Sequence, residues 1–313
     1  MSSDDVAKAF FHHVGTGMID AVRAALDAAP QLINAVGPHP FWGGRPQALH
    51  VSIESDRREI FDLLLERGAD VNGRNDQYDH WSPLMLTIQR GRRGMSDELL
   101  LRGARVGLFE SLMLGDDARV DELLDREGLP AIVPNGGSPL AFARTTHAID
   151  RLLDLGASID AKDRWGSSPI DTMNSMPLVR HLIARGAAAS PRDYARLGDV
   201  DTLERLYEDD PSIARLDSVM LAAVDGSQYE LVEWLLARGA NPNARADAQS
   251  RQTALHTAAW NGDLRMVQLL VAAGADPSLH DEEHDTTPQH WAEVAHDIAN
   301  NAKCAAVAEF LRQ

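Results

Sequence analysis

One cysteine, few aromatics and a shortage of positive charge bound what this chain can be. Cys304 stands alone in 313 residues. No disulfide can form within the chain, and a reducing compartment, the cytoplasm, is expected. It sits in Ala302-Lys303-Cys304-Ala305-Ala306-Val307, an apolar helical pattern, and reads as a packed core thiol. Aromatic residues make up 5%, as expected where Ala and Leu pack helix against helix. Lys and Arg number 30 against 47 Asp and Glu, a formal charge of −17. That balance speaks against nucleic acid or an anionic membrane as principal partner, because phosphate binding needs a basic footprint. No run approaches the roughly 18 apolar residues of a membrane span, and the acidic start Met1-Ser2-Ser3-Asp4-Asp5 has no apolar stretch behind it. There is no Gly-rich phosphate loop, no C-x-x-C, no G-x-S-x-G and no H-E-x-x-H. No cofactor is expected.

What is present is repetition. The clearest unit runs Thr253-Ala254-Leu255-His256-Thr257-Ala258-Ala259-Trp260-Asn261-Gly262-Asp263, then Leu269-Leu270, and closes at Gly274-Ala275-Asp276-Pro277. Weaker copies open at Gln47-Ala48-Leu49-His50, Ser82-Pro83-Leu84, Ser138-Pro139-Leu140, Ser168-Pro169-Ile170 and Thr287-Pro288-Gln289-His290. Gly-Ala pairs at 68, 103, 156, 186 and 239 mark the ends of second helices. Ser or Thr before Pro supplies an N-cap oxygen and a first helical residue that needs no hydrogen bond. Gly at the far end takes the left-handed conformation that stops a helix. Degenerate pairs begin near Gly17, Gly115 and Gly198, so the chain reads as three three-unit blocks and one closing unit.

These motifs resemble the ankyrin repeat, whose pattern is T-P-L-H-x-A-A-x-x-G-H followed by L-L-x-x-x-G-A-D. The resemblance implies an all-α solenoid of about ten stacked helix-turn-helix units with short β-hairpin-like finger loops. It is expected as a single continuous array over 1–313. No Gly/Ser- or Pro-rich linker separates the blocks, which favours that single array over the alternative, a subdivision near 106 or 190. It also implies that His50, His256 and His290 tie neighbouring loops together. From Ser138 to Gly156 and from Ser168 to Gly186 the units are short. The missing residues are expected to come from the turn between paired helices, bending the array or opening a recess.

In ankyrin repeats the finger tips and the two positions after Ala-Ala face a concave groove. By that rule Tyr78, Asp79, Trp81, Arg164, Trp165, Glu283 and His284 lie on fingers, and Glu54, Ser55, Gln89, Arg90, Trp260 and Asn261 on inner helices. Trp42 belongs to a long finger. Exposed Trp with Arg makes a strong interface anchor, so Trp42, Tyr78, Trp81, Gln89, Arg90, Arg164, Trp165, Trp260, Asn261 and His284 form the expected partner site. The alternative for each Trp is to cover a neighbouring finger. Trp234, among Leu231, Leu235 and Leu236, is assigned to the core.

The expected function is recognition of a protein or peptide partner in an acidic, aromatic-lined groove. The alternative is a small molecule held there by a cofactor-independent lyase, hydratase or isomerase, with His80, Asp79 and Glu54 as acid–base groups. In His280-Asp281-Glu282-Glu283-His284-Asp285 the two His are spaced as metal ligands on a helix would be, but the segment is a loop, so no metal is expected.

Overall fold

A computed structural model describes residues 3–41, 43–73, 78–246, 251–297 and 302–312. The chain divides into two compact units, Met1–Ala187 and Ala188–Gln313. Among the described residues all regular structure is helical; isolated bridges Val36–Gln47 and Arg245–Thr253 each close a finger, and Gly136–Asp163 joins two successive fingers.

The first unit contains six helical pairs. They are α1 (Ser3–Thr16) with α2 (Ile19–Ala28), α3 (Ala48–Glu54) with α4 (Arg58–Glu66), α5 (Pro83–Gln89) with α6 (Arg93–Leu101), and α7 (Leu108–Leu114) with α8 (Asp117–Glu127). A 3-10 turn Pro139–Phe142 then pairs with α9 (Thr146–Asp154), and α10 (Pro169–Thr172) with α11 (Met176–Ala184). Four pairs make the second unit: α12 (Pro191–Leu197) with α13 (Val200–Asp209), α14 (Asp217–Asp225) with α15 (Tyr229–Ala237), α16 (Ala254–Trp260) with α17 (Leu264–Ala272), and α18 (Pro288–Asp297) with α19 (Cys304–Leu311).

The sequence signals act through identifiable hydrogen bonds. Ser82 Oγ accepts from Met85 N at 3.0 Å with Pro83 beginning α5, and Asp263 caps α17 through Met266 N at 3.0 Å. Outer helices end in the same way wherever Gly-Ala occurs. Gly68 turns to φ 83°, and Ala69 N then reaches back to Leu64 O at 2.9 Å. The bond recurs from Ala104 to Leu99, Ala157 to Leu152, Ala187 to Leu182, Ala240 to Leu235 and Ala275 to Leu270. Successive repeats are joined by an asparagine series: Asn34 Oδ1 accepts from Asp70 N at 2.8 Å, Asn72 Oδ1 from Arg105 N at 2.7 Å, and Asn243 Oδ1 from Asp276 N at 2.8 Å. Between the helix layers lie buried Leu49, Ile53, Phe61 and Leu64 in the first unit, and Ala254, Ala258, Met266 and Leu270 in the second. Cys304 is fully buried in that second core, and burial raises its thiol pKa.

Three local expectations need correction. The short middle repeats do not lose residues from the turn between helices. The inner helix itself is cut to one turn, because Ala143 and Met173 become extended immediately after it. Thr145 then caps α9 through Ala148 N at 3.0 Å. His50 and His256 do tie loops, their Nε2 atoms lying 3.1 Å from Trp81 O and 2.9 Å from Thr286 O. His290 instead lies exposed, 3.7 Å from Glu293. Trp234 is half-buried at the rim of the core, where its indole donates to Glu204 at 2.9 Å and Arg238 stacks on its ring.

Candidate functional site

A cavity of about 730 Å³ opens in the first unit between the inner helix ends and the fingers. Its wall carries Glu54, Tyr78, Asp79, Trp81, Gln89, Arg90, Arg164 and Trp165, all singled out from the sequence. Glu54 is at the last position of α3, and Gln89 and Arg90 close α5, so equivalent ends of two inner helices reach one space. Tyr78 and Trp81 flank a turn in which Asp79 and His80 both have positive φ, 50° and 61°. Such conformations are uncommon outside glycine and enriched in Asp and His. Trp81 N closes the turn on Tyr78 O at 3.0 Å.

Glu54 is the hub. Tyr78 hydroxyl donates to its carboxylate, Arg90 lies 3.3 Å away and His39 Nε2 3.2 Å away. The His39 ring accepts from Phe41 N on Nδ1 at 3.2 Å, which leaves the proton on Nε2, the nitrogen nearer the carboxylate. It also stacks parallel on Tyr78, with centroids 6.2 Å apart. Burial raises the Glu54 pKa, but hydrogen bonds from His39, Tyr78 and Arg90 outweigh it and hold the carboxyl below its ordinary value. Glu54 is therefore a clamp joining two fingers and two inner helices. With donors already on both oxygens, it is poorly placed to act as a general base. Asp79 is likewise committed, to an ion pair with Arg164, and His80 lies outside the cavity wall. The acid–base set His80, Asp79 and Glu54 does not converge on a common point in the cavity.

The tryptophans divide by exposure. Trp81 is only 8% exposed: its indole donates to Asn135 Oδ1 at 2.8 Å and its ring meets Phe142 at 5.7 Å. It forms the floor. Trp165 is 61% exposed, and the Arg164 guanidinium lies over its ring at 4.4 Å. That pairing is a cation–π platform at the rim. Trp42 lies outside the described residues.

Asn135, Phe142, Arg144 and Asp163 also line the cavity and were not foreseen. Asn135 accepts from Trp81, donates its backbone N to Asp79 O at 3.3 Å and accepts from Arg164 N at 3.1 Å. It can reach back that far because only Arg102–Gly107 connects α6 to α7, leaving that repeat without a finger. Phe142 and Arg144 enter because their inner helix stops after one turn. The short Ser138-to-Gly156 interval was the available signal. The wall is also less acidic than expected, since three arginines accompany three carboxylates.

In the second unit Trp260, 41% exposed, meets Trp291 edge-on at 5.8 Å, and Trp291 also meets His284 at 6.3 Å. Asn261 caps α16 through its backbone. A separate cavity of about 520 Å³, bordered by Arg192, Arg196, Asp225 and Thr257, includes none of these residues. In the acidic loop, His280 pairs with Asp285 and His284 with Asp281. Among the described residues no group of three or more His, Cys, Asp or Glu is placed to hold a metal, and no helix is long and apolar enough to cross a membrane.

Known proteins match the repeats. A family profile described as "Ankyrin repeats (many copies)" matches residues 219–271, and one described as "Ankyrin repeat" matches residues 48–76. The E3 ubiquitin-protein ligase KEG of Arabidopsis thaliana is 44% identical over 259 residues, covering 78% of this chain and 16% of that protein. The nuclear factor NF-kappa-B p105 subunit of Gallus gallus is 28% identical over 248 residues, covering 75% and 21%. The ankyrin repeat and KH domain-containing protein mask-1 of Caenorhabditis elegans is 23% identical over 248 residues, covering 71% and 9%. The chain thus spans a small part of each of these relatives. Taken with the capped helix pairs and the histidine ties, these matches establish that the chain is an ankyrin-repeat protein.

Proposed function

We propose that the chain is a binding module that grips a protein or peptide partner in the cavity of its first unit. Protein interaction is the general role of ankyrin repeats. The observation that carries this reading is the exposed Trp165–Arg164 platform at the rim of a roomy cavity floored by Trp81 and Phe142. Rigid aromatic surface next to Arg is the combination that dominates binding energy at interfaces. Turnover of a small molecule has less behind it, because the carboxylates of the wall are already occupied by donors.

Selection of random peptides on the immobilised protein, followed by a Trp165→Ala comparison, tests the reading. Selected peptides should weaken by at least tenfold on the variant, about 1.4 kcal/mol. Peptides that bind the variant equally well would place recognition elsewhere.

A further inference from the structure

The carboxylates of the cavity wall are matched, and one arginine is not. Glu54 receives Tyr78, Arg90 and His39; Asp79 holds Arg164; Asp163 Oδ1 accepts from the backbone N–H groups of Trp165 and Ser167, each at 2.9 Å. Arg90 and Arg164 are thereby engaged with acids. Arg144 directs Nη1 to the carbonyls of Ala141 and Ala143, at 3.3 and 3.1 Å. No carboxylate among the described residues pairs with it, and the remainder of its five-donor fork is open.

Its position follows from the truncated repeat. The turn Pro139–Phe142 stops after four residues where α3, α5 and α7 continue for seven, and Arg144 follows in the extended link before α9. Its side chain borders the cavity together with Phe142 and Met113, and Leu86 and Trp81 complete an apolar floor. Phe142 is itself fixed by an edge contact to Phe109 at 5.1 Å and a tilted one to Trp81 at 5.7 Å. The guanidinium remains solvent-accessible while its neighbours displace water from one side. Burial, with no opposing contribution from an acid, lowers its pKa. An anionic group brought to the open fork would offset that cost.

We infer that the partner segment presents an Asp or Glu side chain to Arg144 and lays an adjacent large apolar side chain on the Trp81–Phe142 floor. This rests on the reading of the cavity as a peptide site. A side-chain carboxylate is the favoured anion because it matches the guanidinium fork with two oxygens and a single charge. A polyphosphate chain would bring many charges against a protein of net −17.

The test uses acetylated, amidated heptapeptides with Leu or Phe beside a central Glu, Gln or phosphoserine, and a Gln series with a free C-terminus. Binding is measured by fluorescence anisotropy on the whole protein, on Arg144→Gln, on Arg144→Lys and on Trp165→Ala. Glu peptides should bind the native protein at least tenfold more tightly than their Gln counterparts. Arg144→Gln should bring that ratio near one, Arg144→Lys should leave it intermediate, and Trp165→Ala should weaken both series while preserving it. Circular dichroism of Arg144→Gln and Arg144→Lys checks that both remain folded. A Glu:Gln ratio near one on the native protein, or a ratio that survives Arg144→Gln, overturns the inference while leaving the peptide site standing. Preference for phosphoserine, or for the free C-terminus, over Glu also overturns it and names the anion that replaces it. If none of these peptides binds, the cavity is not a peptide site of this kind and both readings fall.

Discussion

The two units are made from the same repeat and use the space beside their inner helices differently. In the second unit those helices run seven to ten residues, and an Ala-rich core fills the layer behind them. In the first, two are cut to four residues, and the larger cavity lies across the cut. The outer helices α9 and α11 beside the cut keep nine residues each. A repeat can therefore give up inner-helix length to make a binding volume while its outer layer remains stacked. Each unit also locks a finger with a buried carboxylate, by different routes. Glu54 collects donors from residues at 39, 78 and 90, whereas Asp281 is held mainly within its own loop, by Glu283 N at 3.0 Å, His284 N at 2.7 Å and Thr286 Oγ1 at 2.7 Å, with Trp291 Nε1 at 3.0 Å. One lock joins repeats; the other shapes a single finger.

The largest effect that would sharpen this contrast is acid destabilisation through His50. Burial pushes its pKa down to about 4, against the weaker pull of Trp81 O and Glu54. As pH falls below the ordinary value near 6.5, the unfolded chain takes up a proton that the folded chain refuses, so stability is lost between about 6.5 and 4. The loss should reach roughly 2–3 kcal/mol by pH 4.5, read from urea midpoints. His50→Gln should flatten that part of the profile in amide exchange of α3 and α4. His256, also lowered by burial, contributes in the same direction in the second unit. An unchanged slope in His50→Gln would show that another group carries the proton linkage.

Next comes Asp281→Asn, which places an amide against several donors and removes the charge they serve. A cost of roughly 2 kcal/mol is expected from charge-assisted hydrogen bonds lost in a buried turn. Burial raises the Asp281 pKa, but donors from His284, Thr286 and Trp291 prevail and keep it well below the usual carboxylate range. Its contribution is therefore present above about pH 4 and is lost as pH falls towards the folded value. Amide exchange should quicken in residues 281–291 of Asp281→Asn and stay slow across α3 to α5. Equal loss in both places would erase the distinction between a local lock and one that joins repeats.

The sequence carried the repeats well because caps and Gly-Ala stops are local instructions, each enforced by hydrogen bonds within a few residues. Knowing the repeat register was also enough to choose Tyr78, Gln89, Arg90, Arg164 and Trp165, all of which line one cavity. What stayed hidden depends on distant partners. Trp81 forms the floor because the repeat between α6 and α8 has no finger, which lets Asn135 reach it. Arg144 borders the cavity only because its inner helix stops early, and the Ser138-to-Gly156 interval shows the shortening without saying which segment lost residues. Glu54 became a clamp through His39, a residue whose ring orientation is set by Phe41 N. His290 has the motif but exposes its ring to Glu293, so the motif alone does not guarantee a tie.

The smallest effect separates the outer faces of the two units. Beside the truncated repeats, His147 and Arg151 of α9 meet Asp121 of α8 at 2.9 and 2.8 Å, and Arg151 also meets Asp125 at 2.5 Å. One repeat later His181 of α11 and Arg185 at its C-terminal cap meet Asp150 of α9, with Arg185 also 3.3 Å from Asp154. The same four-residue spacing on both sides makes a ladder of charges. In the second unit the outer helices are joined by neutral aromatic donors instead: Tyr229 hydroxyl to Asp263 at 2.9 Å and Trp234 Nε1 to Glu204 at 2.9 Å. Exposed ion pairs contribute little and are screened by salt. Arg151→Ala should therefore lower the urea midpoint only slightly in dilute buffer, and that difference should vanish at about 1 M NaCl. Trp234→Phe removes a hydrogen bond between outer helices and should show much less salt dependence. Urea titrations at the two ionic strengths compare these changes directly. A salt-insensitive Arg151→Ala would mean that the Arg side chain acts there by packing its methylenes, and the charge ladder would lose its role in holding the shortened repeats.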